Sequence, residues 1–345
     1  MRFPALIGCT LTAAVMLAGC SGGGSQGPTN IPSSMNAGSG AQSMSRHGSP
    51  SLAGTLTAAH PGAILTRHNP IPDKGGKGDV YVSDYGANVL YGYKSSGGSP
   101  IFTASSGISG PQGLAATKTN VYVANTNDSQ ILVYTPPSTT ATSTITDTGF
   151  YPAGVAVNKK GTNIWVSNIC SAPSCTMGNL EEYSKSGALL QSITCSDLYR
   201  YYFVAVDKKG NVAVDGEDES GLPHVDLVPA GSTSCTALTA ISIEFPGGVQ
   251  FTDKGDLGVD DQEGLTVTTW TAPGFTSKSS TTTLGGGISD PVTFAFVKRD
   301  PSLWTANAGS GDATEFAYPA GGSPSTTITG IEEPIGVAVV PPAKT

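Results

Sequence analysis

Twelve carboxylates fall between Asp207 and Glu263 against only Lys208, Lys209 and Lys254, a local charge of −9. Two short stretches hold most of them. One runs Asp215-Gly-Glu-Asp-Glu-Ser-Gly221, with Asp215, Glu217, Asp218 and Glu219; the other runs Asp260-Asp-Gln-Glu-Gly264, with Asp260, Asp261 and Glu263. Hard oxygen ligands on two adjacent loops suit calcium, or a cationic ligand. Neither stretch has the spacing of a known calcium loop, and acidic loops are commonly just solvated. Asp215 and Asp260 could also work as an acid–base pair, although nothing in their spacing separates that from surface charge. Nucleophilic catalysis finds little here. There is no Gly-x-Ser-x-Gly elbow, and beyond residue 78 the sole histidine is His224, beside Pro223.

The elements that must position these groups are repeats. Pro152-Ala-Gly-Val-Ala-Val-Asn-Lys-Lys-Gly-Thr-Asn-Ile-Trp-Val-Ser-Asn168 reads as a two-strand hairpin turning at Gly161. Its opening recurs at Pro111-Gln-Gly, near Tyr202-Phe203-Val204, at Pro246-Gly-Gly, at Pro291-Val292 and at Pro334-Ile-Gly, spaced by 41 to about 50 residues. The second strand recurs as Val80-Tyr-Val, Val121-Tyr-Val, Ile164-Trp-Val, Val212-Ala-Val, Leu257-Gly-Val and Leu303-Trp-Thr. A third strand and a weaker fourth follow in each unit. Glycine and proline make up a fifth of the chain, and recurring at matched positions they punctuate short strands rather than signal disorder.

Four antiparallel strands per unit at this period describe a β-propeller blade. The first unit starts directly on its second strand at Asp79, and the chain ends on an orphan opening strand from Pro334 to Val340. Pairing the two closes a ring of six blades and leaves no open edge. The fold class expected is all-β: a six-bladed β-propeller of four-stranded antiparallel blades, closed by the C-terminal strand over residues 79–345. In that register Asp84, Asn125, Asn168, Asp215, Asp260 and Asn307 share one position after the second strand. They form a candidate axial polar ring, or a set of turn residues bonding their own backbone.

The Pro-x-Gly-Val-Ala-Val and Gly-x-x-Trp-Val-x-Asn pattern at 152–168 resembles NHL repeats and the virginiamycin B lyase-like propellers. That resemblance implies the same six-bladed architecture and a superfamily of hydrolases, lyases and binding scaffolds. The lyases use loop histidines, and here only His224 is at hand. Gluconolactonase-like propellers resemble the candidate ring in using Glu, Asn and Asp around a divalent cation. The expected function is therefore a non-catalytic, anchored propeller that binds a small molecule, glycan or protein on a loop rim. A metal-dependent lactonase- or lyase-like enzyme is the alternative, and no cofactor is required unless calcium occupies the acidic loops.

Residues 1–20 read as a leader: Arg2, an apolar run from Leu6 to Leu17, then Leu17-Ala-Gly-Cys20, which resembles a bacterial lipobox. The run is short for a membrane span, and Cys20 is the expected lipid site. Residues 21–78, rich in Gly, Ser and Pro, are expected to act as a flexible tether. Ser21 after the cysteine is consistent with an outer-membrane address, so the expected location is the cell envelope, lipid-anchored, at the outer membrane or cell surface. The membrane is then met through the lipid alone, by a monomer. Cys170, Cys175, Cys195 and Cys235 remain, an even number in an exported chain, which favours disulfides over zinc; Cys170–Cys175 and Cys195–Cys235 are the expected pairs. From residue 79 onward there are 13 basic and 25 acidic residues. With no basic footprint in that total, nucleic acid is not an expected partner.

Overall fold

The structure, a computed structural model, describes residues 78 to 341 apart from 159 and 300. The leader, Cys20 and the tether up to residue 77 lie outside the described residues. Six four-stranded antiparallel sheets account for nearly all of the rest. Their first strands are Pro334–Val340, Pro111–Ala116, Phe150–Val157, Arg200–Val206, Pro246–Phe251 and Pro291–Phe296. These six touch one another in a closed cycle around an axis. Each is paired to a second strand: Asp79–Asp84, Val121–Asn125, Asn163–Ser171, Val212–Glu217, Leu257–Asp261 and Ser302–Asn307.

Ring closure follows the expected complementation. Pro334–Val340 pairs with Asp79–Asp84, from Asp79 opposite Val340 to Asp84 opposite Pro334. The last strand of the chain thereby completes the first blade.

The sheets pack face to face, and the core divides into clusters between neighbouring blades. Val155, Val166 and Tyr183 of the third blade lie with Tyr122, Ile131 and Ile145 of the second. Val82 and Val337 of the first lie with Trp304 and Ala313 of the sixth. Burial of β-branched and aromatic side chains on both faces of a strand explains runs such as Val80-Tyr-Val in place of strict alternation.

Near the axis the inner strands approach backbone to backbone, and this explains the Pro-x-Gly signature. A Cβ on Gly154 would stand 2.7 Å from the Tyr202 carbonyl and 2.9 Å from Phe203 Cα of the next blade. On Gly113 it would meet the Ala153 carbonyl at 2.7 Å and Gly154 Cα at 2.9 Å. Hydroxyls tie the same seam: Ser83 donates to the Gln112 carbonyl at 2.6 Å and accepts from Gly336 N–H at 2.7 Å. Ser167 donates to the Tyr202 carbonyl at 2.7 Å, and Thr293 to the Ile335 carbonyl at 2.7 Å.

Both expected disulfides form. Cys170–Cys175 closes the excursion between the second and third strands of the third blade, and Cys195–Cys235 bridges the third and fourth blades.

Gly154→Ala should destabilise the fold by about 1–3 kcal/mol, the range for forcing atoms into a packed contact. Gly274→Ala, with no atom closer than 3.9 Å to the new methyl, should stay within about 0.5 kcal/mol. Urea unfolding of both variants checks this. Equal midpoints would show that the seam tolerates a methyl group.

Candidate functional site

Antiparallel pairing gives every blade two ends. At one end, the turn face, lie the hairpins between first and second strands and the turns between third and fourth. At the other, the crossover face, lie the turns between second and third strands and the passages from blade to blade. The acidic stretches at 215–221 and 260–264 fall on the crossover face of the fourth and fifth blades, side by side as their register requires.

Their chemistry divides differently from the sequence expectation of two solvated loops. Asp215 and Glu217 belong to the strand Val212–Glu217 and are buried, and Asp260 is buried in Leu257–Asp261. The loops proper hold Asp218 and Glu219 on one side and Glu263 on the other, with Asp261 closing its strand. Asp218 accepts from the Ser220 and Leu222 N–H groups, and Asp261 from those of Glu244, Phe245 and Gly264. These are the turn bonds that Asp favours, and they leave Glu219 and Glu263 facing water. His224 sits in the strand Pro223–Val228, two-thirds covered, with Nε2 3.4 Å from Asp218.

Asp84, Asn125, Asn168 and Asn307 share one register position, opposite the opening prolines Pro334, Pro111, Pro152 and Pro291. In the fifth blade Pro246 faces Asp261, so Asp260, and with it Asp215, stands one residue earlier than the expected ring, and all six are buried. Some of their polar atoms serve neighbouring turns and strands, while Asn168 Oδ1, Asp215 Oδ2 and Asn307 Oδ1 are buried without a hydrogen-bond partner. Asp84 accepts from the Ala87, Glu332 and Glu333 N–H groups, Asn125 from Ser109, and Asp215 from Phe203. Asn168 donates to Asn179, and Asn307 to Asp312 and Thr314. Asp260 lies against Gly247, where a Cβ would come within 2.8 Å of its carboxyl; neither of its oxygens has a hydrogen-bond partner. Burial pushes the carboxyls of Asp215 and Asp260 well above the usual range, and each adds to the other's environment or to that of a neighbour: Glu217 raises Asp215, while Asp261 and Asp215 raise Asp260.

Among the described residues, the grouping with metal-ligand proximity is Cys195, Asp226 and Cys235. Both sulfurs are spent in the disulfide, so no thiolate is offered.

A second constellation escaped the sequence. Asp147, in the passage from the second to the third blade, and Glu181, in the strand Asn179–Ser184, flank the Tyr183 hydroxyl. Asn179 joins Glu181 to the ring residue Asn168. Tyr183 has one proton for two carboxyls, and burial followed by the neighbouring Glu181 pushes Asp147 up to about 8. No repeat position marks Asp147 and Glu181 as partners, so only the fold pairs them.

On the axis, a cavity of about 450 Å³ is lined by the inner strands of all six blades, at residues 113–117, 154–157, 203–206, 248–251, 293–296 and 337–339. Lys118, Lys298 and Pro341 lie at its turn-face mouth. Its walls carry no carboxylate, so the acidic loops and the axial space are separate features.

No family model matches the chain, and no curated protein matches it. Solved structures match in fold over about three-quarters of the chain. A functionally unknown protein from Desulfotomaculum acetoxidans has 12% identity and a TM-score of 0.56, covering 77% of this chain and 99% of that one. A protein of unknown function from Bacteroides caccae has 14% identity and a TM-score of 0.59, covering 75% and 97%. A chain from a nidogen/laminin complex has 12% identity and a TM-score of 0.62, covering 76% and 98%. At these identities the likeness is one of architecture.

The Asp147–Glu181 pair makes a pH prediction. The folded protein holds the Asp147 proton up to about 8, whereas an unfolded chain releases it near ~4. Between those values the folded state binds the extra proton, so stability falls as pH rises through that window. Asp147→Asn should raise the melting temperature at pH 8.5 by ~3 °C or more and change it little at pH 4.5. The same pH slope in variant and parent would refute a shared proton.

Proposed function

We propose that this protein is a cell-envelope-anchored, non-catalytic β-propeller whose crossover face binds a partner carrying positive charge. The observation behind this reading is the placement of solvent-facing carboxylates. Asp218, Glu219, Glu244, Asp261 and Glu263 gather on neighbouring loops of the fourth and fifth blades, on a face where Arg200 is the lone cation among the described residues. Charge of one sign on a firm scaffold raises the local concentration of opposite charge and speeds encounter. The Asp261 bonds to Glu244 and Phe245 hold the incoming passage against the loop at 260–264, so the charges are pre-arranged.

Of the three partner classes expected, small molecule, glycan and protein, a protein surface fits best. The carboxylates spread over loops of two blades, and one fold neighbour comes from a protein–protein complex. The two disulfides suit export to an oxidising compartment, and no described helix is long and apolar enough to cross a membrane. Attachment through a lipid on Cys20 is part of the proposal. Nothing in the geometry favours the lactonase- or lyase-like alternative.

Three measurements test this reading. Immobilised poly-L-lysine should retain the wild type at ~50 mM salt, and Glu219→Gln/Glu244→Gln/Glu263→Gln should bind at least ~10-fold more weakly with an unchanged melting curve. Equal binding would remove the acidic face as a recognition surface. Millimolar calcium should leave the melting temperature within ~1 °C, because Asp218 and Asp261 are already occupied by backbone N–H groups; a clear rise would establish a cation site. In the producing cell, Cys20→Ala should abolish lipid labelling and maturation, whereas unaltered labelling would end the lipoprotein assignment.

A further inference from the structure

The chain's cations are sorted by face even more sharply than its acids. Ten described lysines and arginines lie in or beside the turns of the turn face, against four carboxylates, Asp79, Asp207, Asp253 and Asp256. Among the described residues that face therefore carries about +6, within a domain whose total is strongly negative. The inner hairpins supply Lys118, Lys160, Lys208, Lys254 and Lys298, one from each of the second to sixth blades, all exposed. The four carboxylates are turned inward. Asp207 accepts from Lys209 and Asn211 N–H groups, Asp253 from Arg299, Asp256 from Ala272, and Asp79 pairs with Lys94 at 2.8 Å. The absence of a basic footprint, true of the total charge, does not hold for its distribution.

The first blade has no such hairpin, and this is where the chain comes and goes. Asp79 pairs with Val340 at the turn face, so the 77 residues that precede Gly78 reach the propeller there. Apolar side chains border the same face. Ile101, Leu189 and Leu190, at 47%, 54% and 53% exposure, follow directly on the outer turns of the first and third blades.

We infer that the lysine face docks on an anionic lipid surface, with the five hairpin lysines meeting the headgroups. The inference rests on the envelope-anchored reading for its membrane, yet needs no lipid on the protein. It differs from the expectation that the membrane is met through the anchor alone. Gly78, the first described residue, lies on the same side as these lysines, next to the Asp79–Val340 pair. The lysines at five of six positions around the ring can reach one plane together, and each one within a Debye length of an anionic surface multiplies partitioning about fivefold. The acidic crossover face is then turned away from the bilayer.

The test uses the chain from residue 21 onward, which lacks the lipid and retains every described residue. It should co-sediment with phosphatidylglycerol vesicles at ~50 mM salt and not with phosphatidylcholine vesicles, and ~500 mM salt should release it. Reversal at Lys118, Lys160, Lys208, Lys254 and Lys298 to Glu should lower binding at least ~100-fold with the melting temperature retained. Should that variant fold poorly, the salt titration and lipid dependence of the wild type still decide. Equal sedimentation with both lipids, or binding that survives charge reversal, overturns the inference. So does binding of a single-stranded oligonucleotide or an acidic polypeptide by a protein that ignores the vesicles. Failure here with intact lipid labelling at Cys20 leaves the anchor standing, so the two readings fail separately.

Discussion

Everything in this fold hangs on how closely six strands can approach one axis. The seam runs from Gly336 against Gln112, through Gly113 against Ala153 and Gly154, to Gly154 against Tyr202 and Phe203, and from Gly248 against Thr293. Side chains are excluded there by backbone, which does not yield as a flexible side chain would. The hydroxyls of Ser83, Ser167 and Thr293 satisfy carbonyls that strand pairing within a blade leaves free. The fourth blade departs from the pattern with Tyr202-Phe203, and it is also the blade whose opening the repeat marks least clearly. There the Phe203 N–H is taken by Asp215 of the same blade.

A ring built this way sorts residues by sequence position. Every first-to-second hairpin must point to the same end, and every second-to-third turn to the other. A preference for lysine in one kind of turn and for Asp or Glu in the other therefore becomes a separation of charge along the axis, with no single cluster in the sequence to announce it. Two faces of opposite sign also discourage face-to-face stacking of like with like, although they would permit head-to-tail contact. The long axis of that charge separation coincides with the axis along which the chain enters.

Much of this was legible beforehand. The blade count and closure by Pro334–Val340 follow from repeat spacing, because these depend only on order along the chain, whereas four cysteines allow three pairings and the observed one was only the preferred reading. Burial of Asp215, Glu217 and Asp260 did not follow, since a run such as Asp215-Gly-Glu-Asp-Glu looks like a loop until strand register carries its first three residues into the sheet. The Asp147–Glu181 pair was invisible for a different reason: its members come from unlike repeat positions and meet only across a blade interface. Charge sorting was hidden by arithmetic, as a total of −8 averages over both faces.

The same geometry bears on why buried acids persist beside an acidic surface. A carboxylate that must ionise on the crossover face would add to a field already set by its neighbours, and burial penalises the charge again. Asp147, Asp215 and Asp260 all respond in the same direction, holding their protons against that field. Kept neutral, they add no charge to that field, while Glu219 and Glu263, one turn away, are exposed. Proximity in sequence therefore conceals two classes of acid. The inner ones are structural groups matched to the turns beside the axis, and the outer ones are the charge that an approaching molecule meets.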